Sequence, residues 1–176
     1  QFSLEGTAGS IENARRLVAG TSDLGPVYSS HLYEVCKGGV GLSEGQPPSD
    51  APTILAQIYD SAHYFVTLKG SGIESIQDLQ GKTVALGPAG SGTMDNSRRA
   101  LNVLGIKVNE VMLAYGDAAR QLQDGRVDAL GQGGFPASGV MELAAAKDIL
   151  IIPFSDEELD RIVELAPYFF KGEIPA

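Results

Sequence analysis

The chain has 176 residues, of which 43% are hydrophobic, so it can bury a core as one large domain or as two small lobes. Its formal net charge is −9, with 22 acidic residues against 13 lysines and arginines, and this balance argues against nucleic acid as a partner. No apolar run reaches the roughly 18 residues of a membrane span. A single cysteine, Cys36, excludes an internal disulfide, and because free cysteines are mostly buried we expect it to pack inside the protein.

Helices and strands alternate along the predicted chain. A helix is expected over 10–19, ending at Gly20, and a short strand near 23–28 precedes a loop rich in proline, glycine and serine over 38–52. Apolar, β-branched runs predict further strands over 53–59, 62–68, 82–87, 127–131 and 149–154. Further helices are predicted over 92–104, 117–124, 136–146 and 156–166. The last of these opens with Ser155–Glu158, which has the pattern of a capping box. Strands separated by helices indicate an α/β protein with a mostly parallel sheet covered on both faces.

An internal repeat relates the two halves of the chain. Residues 14–23 and 119–128 both read A-R-x-L-x-x-G-x-x-D. Each copy predicts the end of a helix, a glycine with positive φ and an aspartate that leads into a buried strand. Such units also arise by chance in α/β proteins, but two related lobes are the better interpretation.

A glycine-rich loop follows the predicted strand over 82–87. Residues 81–93 read GKTVALGPAGSGT, which nearly matches the phosphate-binding pattern G-x-x-x-x-G-K-[ST], but Thr93 follows Gly92 with no lysine between them. Glycine, serine and threonine at a helix start let backbone and hydroxyl donors approach an anion closely. Without the lysine, a carboxylate suits the loop better than a nucleoside triphosphate. The alternative is a plain tight turn with Ser91 or Thr93 as the helix cap.

Several segments of the chain resemble one family of transport receptors. The run from Gly72 to Gly87, followed by 90–93 (Gly-Ser-Gly-Thr), is similar to the centre of the TAXI family of solute-binding receptors for TRAP transporters. Residues 9–13 (GSIEN), 122–129 (LQDGRVDA) and 134–136 (GFP) are similar to the same family. The D-L-x-G-K-x-V-x-x-G element occurs in many periplasmic binding proteins, so the ordered set of motifs is the more specific signal.

The resemblance implies a two-lobed periplasmic-binding-protein type II fold, with lobes over 1–66 and 67–153 and the start of a return to the first lobe over 154–176. It also implies a receptor that captures a small organic anion or an amino acid such as glutamate, without chemistry and without a cofactor. The receptor would deliver this solute to a TRAP-type membrane permease from a periplasmic or otherwise extracytoplasmic location.

The expected ligand-binding residues lie on the small-residue loops of both lobes. Hydroxyls and backbone N–H groups would hold the anion, while Phe135 or Tyr28 would pack on its apolar part. The full set is Thr7, Gly9, Ser10, Asn13, Tyr28, Ser91, Gly92, Thr93, Gly134 and Phe135.

The chain departs from the family pattern in three places. A first strand and a C-terminal return to the first lobe are not matched, so we expect a fold that is incomplete at both ends. Tyr28-Ser29-Ser30 stands where the family commonly has Gln-Ser-Asp, which replaces an acidic side chain near the cleft by a hydroxyl. With its neighbours missing, the predicted strand near 23–28 would expose an edge, through which a homodimer could form.

Two other classes of function remain open at this point. One is an enzyme that binds phosphate or a phosphorylated substrate on the glycine-rich loop, but neither His31 nor His63 has triad partners in sequence, and both are expected to be structural. The other is the ligand-sensing effector domain of a regulator, which shares the architecture but needs an attached DNA-binding module.

Overall fold

A computed structural model describes residues 3–37 and 52–174 of the chain; residues 38–51 of the predicted loop lie outside this range. The helices are α1 Ser10–Val18, α2 Ser29–Lys37, α3 Gly92–Leu104, α4 Tyr115–Gln123, α5 Ser138–Ala146 and α6 Asp156–Leu165. The strands are β1 His63–Leu68, β2 Thr83–Ala85, β3 Asn109–Val111, β4 Ala129–Gly133 and β5 Ile149–Ile151, and a short 3₁₀ helix spans Ile76–Leu79. Within the described residues, none of these helices combines the length and the apolarity that crossing a bilayer requires.

Two compact units make up the described chain. The first contains the described residues up to Ile58 together with Gly90–Gly92, and the second contains Tyr59–Ala89 and the described residues from Thr93 onward. The division after residue 58 lies ahead of β1, whereas the lobe boundary predicted at residue 66 would cut through that strand. The prediction of lobes over 1–66, 67–153 and 154–176 stays a prediction.

The sheet of the second unit has the strand order β3-β2-β4-β1-β5. Strand β2 runs parallel to β3 and β4, while β1 is antiparallel to both β4 and β5. Four strands therefore point one way and β1 alone is reversed. The prediction of a mostly parallel sheet is correct for the strands that are separated by helices, because a helical crossover returns the chain in the same direction. It is wrong for β1, whose connection to β2 contains the 3₁₀ helix at Ile76–Leu79 rather than an α-helix.

Alternating residues of the sheet form a core on each face. On one face, Val66, Ala85 and Leu130 pack with side chains of α4 and α5, including Leu122 and Leu143. On the other face lie His63 and Phe65, where the Ser97 hydroxyl of α3 contacts the His63 ring. Alternation of side chains along β1 thus brings helices to both faces of the sheet, as predicted.

Two predicted strands are not strands in the structure. Residues 23–28 are irregular, and Pro26 within them has no N–H to donate to a ladder. Residues 53–59 are also irregular, with Ile54 and Leu55 largely exposed. A β-rich sequence requires a partner strand to become a strand, and neither segment has one among the residues that the structure describes. The homodimer predicted through an edge at 23–28 therefore lacks the strand on which it was based.

The sequence analysis missed two elements and predicted the burial of one side chain incorrectly. The short edge strand β3 and the helix α2 were not expected. Cys36, near the end of α2, is exposed rather than packed in the core. In contrast, the capping box is confirmed at α6, where Ser155 accepts a hydrogen bond from the backbone N–H of Glu158 at 3.2 Å and the Glu158 carboxylate accepts one from the Ser155 N–H at 2.8 Å.

Candidate functional site

The helices α3, α4 and α5 follow the strands β2, β3 and β4 in the chain. These three strands point the same way, so their carboxyl ends meet at one edge of the sheet. The amino ends of the helices that follow them open at that edge. In open α/β sheets the crevice outside the carboxyl ends of the strands is the usual place for a ligand.

A pocket of about 460 Å³ lies at this edge, entirely within the second unit. This volume is within the range of small-molecule sites, roughly 300–1,000 Å³. The described residues that line it are Tyr59, Tyr115, Gln132, Gly133, Gly134, Phe135, Pro136, Ala137, Ser138 and Gly139. They come from the segment before β1, the end of β4, the following turn and the first residues of α4 and α5.

Hydrogen bonds and ring contacts brace the walls of this pocket. The hydroxyl of Tyr115 lies 2.9 Å from the Thr93 hydroxyl, and Thr93 is buried. Phe135 contacts the ring of Tyr64 edge to face, with centroids 6.0 Å apart, and the Tyr64 hydroxyl donates to the carbonyl of Gly134 at 3.2 Å. Burial raises the pKa of Tyr64 to about 12, so its hydroxyl remains a donor at neutral pH. The rings of Tyr115 and Phe135, two of those that line the pocket, are therefore held from behind.

The amino end of α5 presents backbone N–H donors to the pocket. Its cap residue, Ala137, is extended and makes no side-chain hydrogen bond to the helix, and the first turn contains no acidic residue. The first N–H groups of a helix have no partner within it, and the helix dipole makes this end partly positive. Because Ser138 and Gly139 line the pocket, an anion seated there would meet these donors.

The predicted binding residues of the first unit hold one another in place. Thr7 donates its hydroxyl to the Asn13 side chain at 2.7 Å, and Asn13 donates to the carbonyl of Pro26 at 2.9 Å. The Ser10 hydroxyl accepts from the backbone N–H of Tyr28 at 2.8 Å and lies 2.7 Å from Nδ1 of His31. These side chains join the start of α1 to the segment that leads into α2.

The glycines of the loop pack closely against this group. A side-chain carbon at Gly92 would lie 2.4 Å from the Tyr28 ring and 2.9 Å from the His31 ring, and one at Gly9 would lie 3.6 Å from the Cα of Ser91. The Ser91 side chain is buried. Glycine at position 92 is thus explained by packing inside the first unit.

The structure divides the predicted site residues into two groups. Thr7, Gly9, Ser10, Asn13, Tyr28, Ser91 and Gly92 belong to the first unit, whereas Thr93, Gly134 and Phe135 belong to the second. Gly134 and Phe135 line the pocket, and Thr93 contacts it through Tyr115. The binding role of all of them stays a prediction.

Sequence reasoning missed several residues that line the pocket, among them Tyr59, Tyr115, Gln132 and Ser138. A signal for some of them was present, because 133–139 (GGFPASG) is a small-residue run between a strand and a helix, the same pattern that drew attention to 87–93 (GPAGSGT). Only its GFP portion was interpreted. Tyr59 and Tyr115 carried no signal, since their approach depends on the folding of distant segments.

The two histidines have structural partners, as predicted. Nε2 of His63 lies 3.2 Å from the Ser97 hydroxyl, which also donates to the carbonyl of Leu86 at 3.2 Å. Because that carbonyl can only accept, Ser97 accepts from His63, whose Nε2 carries the proton. Burial lowers the pKa of His63 to about 4, so the ring is neutral near pH 7. Within residues 3–37 and 52–174, no cluster of three or more potential metal-binding side chains is found.

Several solved structures align with part of this chain. The periplasmic aliphatic sulphonate binding protein SsuA from Escherichia coli is 19% identical, with a TM-score of 0.53 over 83% of this chain and 47% of that one. An ABC transporter periplasmic binding protein from Brucella ovis with glutathione bound is 22% identical, with a TM-score of 0.45 over 53% of this chain and 30% of that one. An arginine transport periplasmic binding protein from Legionella pneumophila is 18% identical, with a TM-score of 0.40 over 54% and 42% of the two chains.

The chain spans about half the length of SsuA and less than half the length of the other two proteins. The likeness to SsuA confirms the predicted fold class, an α/β fold of the periplasmic-binding-protein type. The whole of the sequence, residues 1–176, matches the model of one family. The chain therefore belongs to the NMT1-like family.

Proposed function

We propose that this chain is part of an extracytoplasmic receptor that captures a small organic acid and passes it to a membrane permease. The observation that carries the proposal is the pocket of about 460 Å³ into which the uncapped amino end of α5 opens, beside exposed aromatic rings. The acid group would accept hydrogen bonds from the first N–H groups of α5, and the rings would cover its apolar part. Membership of the NMT1-like family and the fold shared with SsuA support a binding protein rather than an enzyme.

The finer assignment is to a TAXI receptor of a TRAP transporter, which rests on the ordered motifs of the sequence. In this proposal the ligand is a carboxylate or an amino acid, and the binding role predicted for Thr7, Gly9, Ser10, Asn13, Tyr28 and Ser91–Thr93 rests on the same motifs. Uptake of a labelled ligand into proteoliposomes that contain the cognate permease distinguishes the transporter types. A TRAP permease requires an ion gradient, whereas uptake that requires ATP and no gradient would contradict this assignment.

A substitution at the cap of α5 tests the site itself. Ala137→Asp places a carboxylate where it can bond the free N–H groups, because the backbone at Ala137 is already extended (φ −110°, ψ 126°). We expect the variant to be as stable as the parent or more so, yet to bind organic acids at least tenfold more weakly, since one lost hydrogen bond to a charged group is worth about 1.5–3 kcal/mol.

Calorimetry with 3-phenylpropanoate, glutarate and L-glutamate provides the measurement. Ala137→Asn is the matched control, because it caps the same donors without adding a charge and should weaken acid binding less than Ala137→Asp. The site proposal fails if none of the three acids binds the parent chain, or if the best of them binds Ala137→Asp as tightly as the parent.

A further inference from the structure

Three aromatic rings give the pocket its apolar character. Tyr59, Tyr115 and Phe135 are 65%, 40% and 41% exposed, although each lines a concave surface. Exposed aromatic side chains are costly to leave in water, and a flat apolar group placed between them removes that surface from solvent. The bracing of Tyr115 by Thr93 and of Phe135 by Tyr64 means that two of the rings are positioned before a ligand arrives.

The described residues that line the pocket all have uncharged side chains. Besides the two tyrosine hydroxyls, its polar side chains are Gln132, which is largely buried and donates its amide to the carbonyl of Gly133 at 2.9 Å, and Ser138 at the start of α5. The electrostatic preference of the pocket is therefore set by the amino end of α5. This end is partly positive, so it stabilises an acid group and opposes an ammonium group placed beside it.

We infer that the ligand of this pocket is a ring-bearing organic acid without an amino group. The inference rests on the proposed function, because it takes the acid group to lie at the amino end of α5. It narrows the ligand in two respects. The aromatic walls favour a ring in the ligand. An amino group is disfavoured because covalent geometry holds the α-ammonium of an amino acid next to its carboxylate, and hence next to the same positive helix end.

A matched set of compounds separates the two requirements. 3-Phenylpropanoate has the ring and the acid, L-phenylalanine adds only the ammonium, 3-phenylpropan-1-ol removes the charge, and glutarate has acid groups without a ring. Calorimetry on the parent chain should show 3-phenylpropanoate binding at least tenfold more tightly than each of the other three.

Substitution of one wall ties the ring preference to this pocket. Phe135→Leu keeps an apolar side chain but removes the ring, so it should weaken binding of 3-phenylpropanoate severalfold and weaken binding of glutarate clearly less. An equal effect on both acids would mean that Phe135 acts through the shape of the turn rather than through its ring, and would overturn the assignment of a ring-bearing ligand.

The remaining outcomes distinguish this inference from the proposed function. If L-phenylalanine or glutarate binds as tightly as 3-phenylpropanoate, and Ala137→Asp still abolishes that binding, the inference on ligand class is wrong while capture of an acid at α5 stands. If none of the acids binds, both are wrong. Tight binding of 3-phenylpropan-1-ol would show that the acid group is not recognised, which also contradicts both.

Discussion

Gly92 occupies a position where a side chain cannot be placed without moving two rings. A carbon added there would lie 2.4 Å from Tyr28 and 2.9 Å from His31, and His31 is fully buried. We expect Gly92→Ala to lower the free energy of unfolding by about 1–3 kcal/mol, the usual cost of overpacking. Urea unfolding followed by circular dichroism measures the change.

Gly116→Ala is the matched control for this prediction. Gly116 lies in α4, has no positive φ and has no heavy atom within 4 Å of an added carbon. Replacing a helical glycine of this kind should leave stability unchanged or raise it by up to about 1 kcal/mol. Equal effects of the two substitutions would show that the contact of Gly92 with the rings is not tight.

His63 should make the stability of the second unit depend on pH. Burial lowers its pKa from 6.5 to about 4, so between these values the unfolded chain binds a proton that the folded chain does not. The second unit therefore has its full stability above pH 6.5, and its free energy of unfolding falls by up to about 3 kcal/mol as the pH falls toward 4. Urea unfolding at pH 5.0 and pH 7.5 should show a larger difference for the parent than for His63→Gln. The same difference in both proteins would contradict a lowered pKa of His63.

The candidate site shows how far single residues could be interpreted from sequence. Gly134 and Phe135 were selected as binding residues and both line the pocket. Gly92 was selected for an anion, but its small size is explained by its contact with Tyr28. The sequence pattern is the same in both cases, because a glycine can be required by a ligand or by a neighbouring ring, and only the fold shows which atoms approach it.

At the scale of elements, the helix ending predicted from the internal repeat is confirmed in both copies, whereas the strand predicted after each aspartate follows Asp128 but not Asp23. In α1 the N–H of Gly20 bonds to Leu17 and that of Thr21 to Arg16, and in α4 the N–H of Gly125 bonds to Leu122 and that of Arg126 to Gln121. Both glycines have positive φ, 66° and 69°. This is the Schellman arrangement, which closes the last carbonyls of a helix.

The repeat predicts equal costs for the same substitution at two distant sites. Neither Gly20 nor Gly125 has a heavy atom within 4 Å of an added carbon, so an alanine is opposed by the backbone conformation alone. Gly20→Ala and Gly125→Ala should each lower the free energy of unfolding by about 1–2 kcal/mol. Asparagine, which tolerates positive φ better, should cost less at both positions. A cost for alanine no greater than that of Gly116→Ala would contradict the assignment of these helix ends.

The prediction of elements succeeded where local sequence decides the conformation. The helices α1, α3, α4, α5 and α6 begin within about two residues of their predicted positions, because caps, glycines and apolar periodicity are local signals. The strands over 23–28 and 53–59 failed, since a strand also needs a partner. For the same reason the three-residue β3, which carries two exposed residues, gave no signal of its own and is fixed by its pairing with β2.

At the scale of the whole molecule, the charge of the chain opposes the ligand that we propose. The formal net charge of −9 repels an organic acid on its approach, so the attraction must come from groups close to the pocket. The amino end of α5 acts only within about the first turn of the helix, where salt screens little. Repulsion by the distant carboxylates extends further and is screened more strongly.

Binding of an acid should therefore become stronger as salt is added. Raising the ionic strength from 0.01 M to 0.15 M shortens the screening length from about 30 Å to about 8 Å, which removes most of the repulsion from charges about 20 Å away. We expect the affinity for 3-phenylpropanoate to rise roughly twofold to fivefold, on the scale of the screened Coulomb energy. A site built from lysine or arginine would show the opposite trend. Calorimetry in sodium chloride and again in sodium fluoride separates screening from competition by the salt's own anion, and a loss of affinity in both salts would indicate that a basic side chain, rather than the end of α5, holds the acid.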